Sequence, residues 1–289
     1  MTIDELLIKY HDENISERDK GAKFERLMKN FLLTYPAYRG KFSEVWLWNE
    51  FPFRDELGTV DLGIDIVAKT GGGDFWAVQC KFYAETSLID KAAVDTFLAT
   101  SSKTFDGDKN FSARLWISTS DNLTDNAEIT LQNQSPEVAR IGLEELRTAP
   151  VDWEKLDAGI FGKEAVKDAR EPKEHQLNAI DAAKAHFQNH DRGKLIMACG
   201  TGKTYTSLKI AETLAPKGKI LFLVPSISLL SQILHEWATF AEEPFNYICV
   251  CSDDTVSKDA DEIKSVNLPL PATTKPAEIL KRLENFSGD

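Results

Sequence analysis

Apolar residues first recur at helical spacing in "SERDKGAKFERLMKNFLLTY", where Phe24, Leu27, Met28, Phe31 and Leu32 share one face. Ser16 stands where an N-cap belongs. "EVWLWNEF" reads as a strand, followed by a loop with Pro52 and Gly58. "GIDIVAKTGGGDFWAVQCKF", residues 63–82, then forms two short apolar strands around a glycine turn. "SLIDKAAVDTFLATSS" predicts a helix, with Ser87 and Asp90 in capping-box-like positions. "ARLWIST" is a strand, "TDNAEITLQNQ" a helix and "VARIGL" a strand. Residues 1–160 therefore follow an α-β-β-β-α-β order with additions. The charged run "FGKEAVKDAREPK", residues 161–173, reads as a linker.

After the linker, from residue 174, the pattern changes. "EHQLNAIDAAKAHFQ" is helical, "KLIMA" a strand, "CGTGKT" a loop and "KTYTSLKIAETLA" a helix. "KILFLV" predicts a second strand, "SISLLSQILHEWATF" a helix and "YICVC" a third strand. Alternating strands and helices imply an α/β domain built on a parallel sheet. From about residue 252 the chain is polar and reads as loop, with a solvated acidic run at Asp259–Glu262.

The chain length of 289 residues fits two such domains. Hydrophobic content of 42% and charged content of 28% are those of a soluble globular protein. Cys80, Cys199, Cys249 and Cys251 have no zinc-site spacing, and the five histidines form no ligand pattern. The amino terminus lacks an apolar signal core, and no apolar run is long enough to span a membrane. A reducing cytoplasm, with no membrane partner, is the expectation. Net charge is -12, and it is uneven: residues 1–160 hold 18 Lys and Arg against 28 Asp and Glu. Bulk charge thus opposes non-specific attraction to nucleic acid, so DNA binding must rely on local patches or further domains.

The 63–82 hairpin carries polar residues where burial would make them costly. Strand alternation puts Asp61, Gly63, Asp65 and Val67 on one face, and Phe75, Ala77, Gln79 and Lys81 on one face of the return strand. A turn near Gly72 sets Asp65 across from Gln79 and Gly63 across from Lys81. The hairpin end thus gathers Asp, Gln and Lys, and Gly63 leaves room. A carboxylate there can hold Mg²⁺, with the Gln79 oxygen and the Cys80 backbone carbonyl as further oxygen donors. Lys81 can orient a water or stabilise a pentacovalent phosphate. Glu25, beside the apolar stripe of the first long helix, is the candidate second carboxylate.

GxD followed by QxK, on this element order, resembles the PD-(D/E)xK nuclease superfamily in its Mrr-like branch, over roughly residues 15–150. The resemblance implies Asp65 as metal ligand, Gln79 in the acidic position, Lys81 as catalytic lysine and Glu25 as helix ligand.

"MACGTGKT", residues 197–204, is a P-loop between a strand and a helix. Backbone N–H groups of Gly200, Thr201, Gly202, Lys203 and Thr204 would cradle phosphates at the helix N-terminus. Lys203 would reach the β- and γ-phosphates of ATP, and Thr204 the nucleotide Mg²⁺. Met197 stands where the strict pattern has glycine, as helicase-type loops tolerate. Gln176 resembles the adenine-reading Gln of superfamily 2 helicases, and Lys173 is the nearest basic residue before it. "LVPSISLLSQ" resembles helicase motif Ia, with Ser226 and Ser228 as nucleic-acid phosphate contacts.

The nuclease-then-motor order resembles single-polypeptide Type I restriction enzymes, the Type ISP group, acting on double-stranded DNA. The resemblance implies a PD-(D/E)xK fold followed by the first part of a RecA-like lobe. Remaining motor, methyltransferase and target-recognition domains would belong to a longer polypeptide, and a second copy would complete double-strand cleavage. No DEAH-type Walker B, arginine finger or methyltransferase motif precedes Asp289, so weak nucleotide binding without turnover is expected of this stretch alone. Two other readings stand beside it: an inactive nuclease-like module that docks DNA or partner domains, and a nuclease–helicase of another phage-defence system without a methyltransferase.

Overall fold

In the computed structural model, residues 1–58, 63–132, 134–167, 170–251 and 272–284 are described. Asp61 and the acidic run Asp259–Glu262 lie outside them. By contact the chain divides into one unit of Met1–Lys167 with Asn246–Asp289, and a second of Asp168–Phe245.

The first unit is built on a five-stranded sheet in sequential order: β1 (Phe42–Leu47), β2 (Ile66–Thr70), β3 (Phe75–Lys81), β4 (Phe111–Ser118) and β5 (Val138–Ile141). β1, β2 and β3 run antiparallel, while β3, β4 and β5 are parallel. The mixture follows from the connections. A glycine turn suffices between β2 and β3, whereas parallel neighbours need a crossover. α4 (Lys91–Thr100) makes the first of these and α5 (Asp125–Leu131) the second.

Two helices sandwich the sheet. α2 (Glu17–Thr34) starts at Ser16, whose hydroxyl accepts from Asp19 N. It lies on the Trp76 face, where the Phe24 ring is 5.6 Å from Phe82. On the other face α4 brings Val94 and Phe97 onto Val67, Phe75, Ala77 and Trp116, all buried. The N-cap of α4 is Asp90, which accepts from Ala93 N. Ser87 caps nothing there, because the helix begins three residues later than a capping box from Ser87 requires. The 42–51 segment is also shorter as a strand than "EVWLWNEF" implied. β1 ends at Leu47, and Trp48–Glu50 turn as a 3₁₀ helix.

Sequence patterning did not foresee α1 (Ile3–Asp12). A full capping box starts it: Thr2 Oγ1 accepts from Glu5 N at 3.2 Å, and Glu5 returns a bond to Thr2 N at 2.8 Å. Small helices α3 (Arg54–Leu57), α6 (Leu143–Thr148) and α7 (Trp153–Asp157) close the periphery. A 3₁₀ turn at Gly162–Ala165 then packs back, with Asp152 N donating to Ala165 O at 2.7 Å.

The second unit holds α8 (Glu174–His186), α9 (Lys203–Leu214) and α10 (Ile227–Phe240). Leu208, Ile233, Trp237 and Ala241 form its small core. Here the strand expectations need correction. Residues 194–198 and 219–224 join no ladder, and neither does the 247–251 segment. Parallel strands are held largely by burial on both faces. Ile196 is 90% exposed and Leu221 84%, so among the described residues these segments are covered on one side at most, as where Phe222 meets Trp237. The 247–251 segment instead associates with the first unit, where Tyr247 Oη donates to the carbonyl of Ala37 at 3.1 Å.

One charge in the first unit is poorly placed. The Lys41 ammonium lies over the Trp76 ring at 5.1 Å, and burial, aided by Arg282, pulls it down to about 8. Below pH 8 both folded and unfolded chains hold this proton, and the fold carries the full desolvation penalty. Between about 8 and the ordinary value of 10.5 only the unfolded chain keeps it, so the penalty fades as pH rises. Lys41→Met should therefore raise the melting temperature at pH 7, with the gain shrinking toward pH 10.5. A variant that melts lower at pH 7 would show that the ammonium stabilises the fold.

Candidate active site

The β2–β3 ladder pairs Ile66 with Val78 and Val67 with Ala77, the register that sets Asp65 opposite Gln79. The main-chain ladder ends with Asp65 N donating to Val78 O at 2.9 Å. From there the Asp65 side chain takes over. Its Oδ2 accepts from Cys80 N at 2.6 Å and from Gln79 Nε2. Asp65 and Gln79 are both buried. A backbone bond from Trp48 N to Asp65 O, 2.7 Å, fixes the Asp65 main chain from β1's end.

Lys81 follows on the Gln79 face, half-buried, and its ammonium has no hydrogen-bond or ion-pair partner among the described residues. Glu25 is half-buried on α2. Burial pushes the Cys80 thiol well up, Asp65 and Glu25 push it further, and Lys81 opposes them. The structure brings Asp65, Gln79 and the Cys80 backbone into direct contact, while Glu25 and Lys81 are tied to this cluster only through their influence on the Cys80 thiol.

The donor set suits a hard cation. It comprises a carboxylate, an amide, and the Cys80 carbonyl 3.4 Å from Gln79 Nε2. Two features argue that something is meant to fit here. Gln79 Oε1 is buried with no hydrogen-bond partner among the described residues. Gly63, at φ +83°, leaves a cradle: a Cβ there would stand 3.1 Å from that oxygen and 3.2 Å from Phe97 N. Among the described residues no group of three or more His, Cys, Asp or Glu forms a metal cluster, so a cation here would depend on the neutral oxygens as well.

In the second unit Gly200 and Gly202 are left-handed, and α9 begins at Lys203. Thr201 Oγ1 donates to Ala198 O at 2.7 Å, and Lys203 Nζ to the same carbonyl at 3.2 Å. Gln176 is buried against this loop. Its Nε2 donates to Thr201 O at 3.0 Å, and its Oε1 accepts from Lys173 N at 2.9 Å. A side chain at Gly202 would run into the Gln176 amide. The Thr204 carbonyl accepts from Trp237 Nε1 at 3.1 Å. Ser226 caps α10, and its hydroxyl lies 3.2 Å from that of Ser228, both residues exposed.

Sequence reasoning passed over Arg170. Its guanidinium stacks 5.0 Å over Tyr205 and pairs with Glu236 at 3.5 Å. The available signal was an arginine six residues ahead of Gln176. His175 was also missed as a loop contact: its ring donates to Thr201 O at 3.1 Å.

Comparison with known proteins accords with this geometry. A family model described as "Restriction endonuclease", of the Mrr type, matches residues 33–161. A second, "Type III restriction enzyme, res subunit", matches residues 170–277. The chain joins a restriction-endonuclease domain to a helicase-like domain. It is 32% identical to the ATP-dependent Type ISP restriction-modification enzyme LlaBIII, solved bound to DNA, at a TM-score of 0.77. That match covers 99% of this chain and 17% of the other. A "Probable helicase A859L" of African swine fever virus, from a Malawi tick isolate, is 30% identical over 157 residues, covering 53% of this chain and 17% of the relative. Its counterpart from a Kenyan pig isolate is 30% identical over 167 residues, covering 55% and 18%. The chain thus spans less than a fifth of the length of these relatives. No helix among the described residues is long and apolar enough to cross a membrane.

The cradle makes Gly63 sensitive. Gly63→Ala meets both a left-handed backbone and the Gln79–Phe97 wall, so it should cost about 1–3 kcal/mol in denaturant unfolding. Gly71→Ala, in open space, should be nearly neutral by comparison. Equal stabilities for the two variants would show that the cradle is slack.

Proposed function

We propose that the first unit is a Mg²⁺-dependent endonuclease of double-stranded DNA, coupled in a longer polypeptide to an ATP-driven translocase that begins in the second unit. The observation that carries the reading is the Asp65 carboxylate, buried at the splayed end of a hairpin and fixed by Cys80 N and Gln79. Asp65 and Glu25 would hold the cation, with Gln79 Oε1 and the Cys80 carbonyl completing its oxygen set. Mg²⁺ bound there would polarise a phosphoryl oxygen and lower the pKa of an attacking water. Lys81, next on the same face, places a positive charge where the phosphate gathers negative charge. Without a hydrogen-bond or ion-pair partner among the described residues, that ammonium is available to the substrate.

In the second unit the loop around Gly200–Thr204 would take the phosphates of ATP, with Lys203 leaving the Ala198 carbonyl to meet them. Thr204 would hold the nucleotide's Mg²⁺. Gln176 would read adenine only by giving up its bonds to Thr201 and Lys173, so it also couples base recognition to loop shape. Ser226 and Ser228 present paired hydroxyls to a DNA backbone phosphate. Methyltransferase and target-recognition domains, and a second copy for double-strand cleavage, fit the likeness to the Type ISP enzyme.

Nicking of supercoiled plasmid with and without Mg²⁺ tests the nuclease. Asp65→Asn should lower the rate by about a hundredfold or more. Lys81→Ala should slow nicking while DNA binding stays close to wild type. Mg²⁺-dependent nicking at wild-type rate by Asp65→Asn would move the active site elsewhere. Nucleotide binding is tested by calorimetry with an ATP analogue, where Lys203→Ala should abolish any heat. A heat unchanged by Lys203→Ala would exclude the loop as the phosphate site.

A further inference from the structure

We propose that Gln79 is a two-state partner of Asp65, whose amide turns over when a divalent cation enters. In the metal-free protein Nε2 clamps the carboxylate; in the loaded protein Oε1 faces the cation. The proposal rests on the metal-site reading above and adds to it how the empty site is held together.

Chemistry fixes the amide orientation where Gln79 meets Asp65 directly. Asp65 Oδ2 already accepts from Cys80 N at 2.6 Å, and the Gln79 amide touches the same oxygen. A carbonyl oxygen pressed on a carboxylate would repel it, so the NH₂ end must face Asp65. Oε1 is thereby turned inward, buried and without a partner among the described residues. Leaving an acceptor unpaired in the interior is costly, and native proteins seldom retain such a group without a use.

A divalent cation reverses the requirement. Mg²⁺ takes oxygen ligands, and an NH₂ group aimed at it presents the wrong end of the dipole. Rotation of the terminal amide about a soft sp³–sp² bond exchanges the two ends without moving the backbone. Gly63 supplies the room, since its missing Cβ would stand 3.1 Å from the atom that must be replaced.

The exchange has an opposing cost. After turnover the NH₂ end takes the place of Oε1 beside Gly63, and its bond to Asp65 is given up. Cation binding must offset the loss of that bond. A glutamate at 79 would escape that cost and add a charge for the cation. In the empty site, however, it would set two carboxylates against each other. Glutamine thus trades cation affinity for stability of the metal-free fold.

The test combines calorimetry with NMR of the full chain labelled with ¹⁵N in glutamine side chains. The Gln79 amide pair is assigned by its loss in Gln79→Glu. Mg²⁺ should shift that pair strongly while the exposed Gln188 pair stays in place. Gln79→Glu should bind Mg²⁺ about tenfold more tightly and melt at a lower temperature than wild type in chelator. Mg²⁺ heat that Asp65→Asn abolishes, with the Gln79 pair unmoved, would overturn the turnover while leaving the metal site intact. Weaker Mg²⁺ binding by Gln79→Glu would do the same. No Mg²⁺ heat in the wild-type chain would overturn the metal site itself, and the turnover with it.

Discussion

The first unit is organised around one carboxylate held out of water. Where the β2–β3 ladder runs out, the Asp65 side chain supplies the acceptor that Cys80 N would otherwise lack. A buried carboxylate at a strand end is costly unless donors or a cation meet it. Cys80 N and Gln79 Nε2 do so, and both lie on β3. The hairpin register therefore determines the site. A slip of one residue would turn Gln79 away from Asp65 and put Trp76 or Val78 on the α4 face.

The second unit uses a related device. A left-handed glycine stands against a buried glutamine amide in both places, Gly63 against Gln79 and Gly202 against Gln176. In the loop both ends of the Gln176 amide are bonded, to Lys173 and Thr201. At the hairpin one end is left over. A fully bonded amide braces the P-loop, whereas a half-bonded one leaves capacity for a ligand.

Much of this was legible in the sequence because short-range rules govern it. Strand alternation and a glycine turn suffice to pair Asp65 with Gln79, and the P-loop announces itself by its glycines. The Ser16 cap and the apolar stripe of α2 are equally local. What escaped reading depends on distant partners. α1 had a capping box at Thr2 and Glu5, but Leu6, Leu7 and Tyr10 make sense as a buried face only once the rest of the unit packs on them. Arg170 needed Tyr205 and Glu236, both far along the chain. The apolar runs at 194–198 and 219–224 have strand composition, yet composition cannot supply the neighbours and covering helices that a parallel ladder requires.

The central claim is that Asp65 is the anionic anchor of a cation site at the end of this hairpin. Its most direct test is an anomalous difference map from crystals soaked in Mn²⁺. The account predicts a peak in contact with an Asp65 carboxylate oxygen, with the Cys80 carbonyl and the Gln79 side-chain oxygen among its neighbours. Mn²⁺ bound away from Asp65, in a protein whose DNA cleavage depends on that ion, would contradict it.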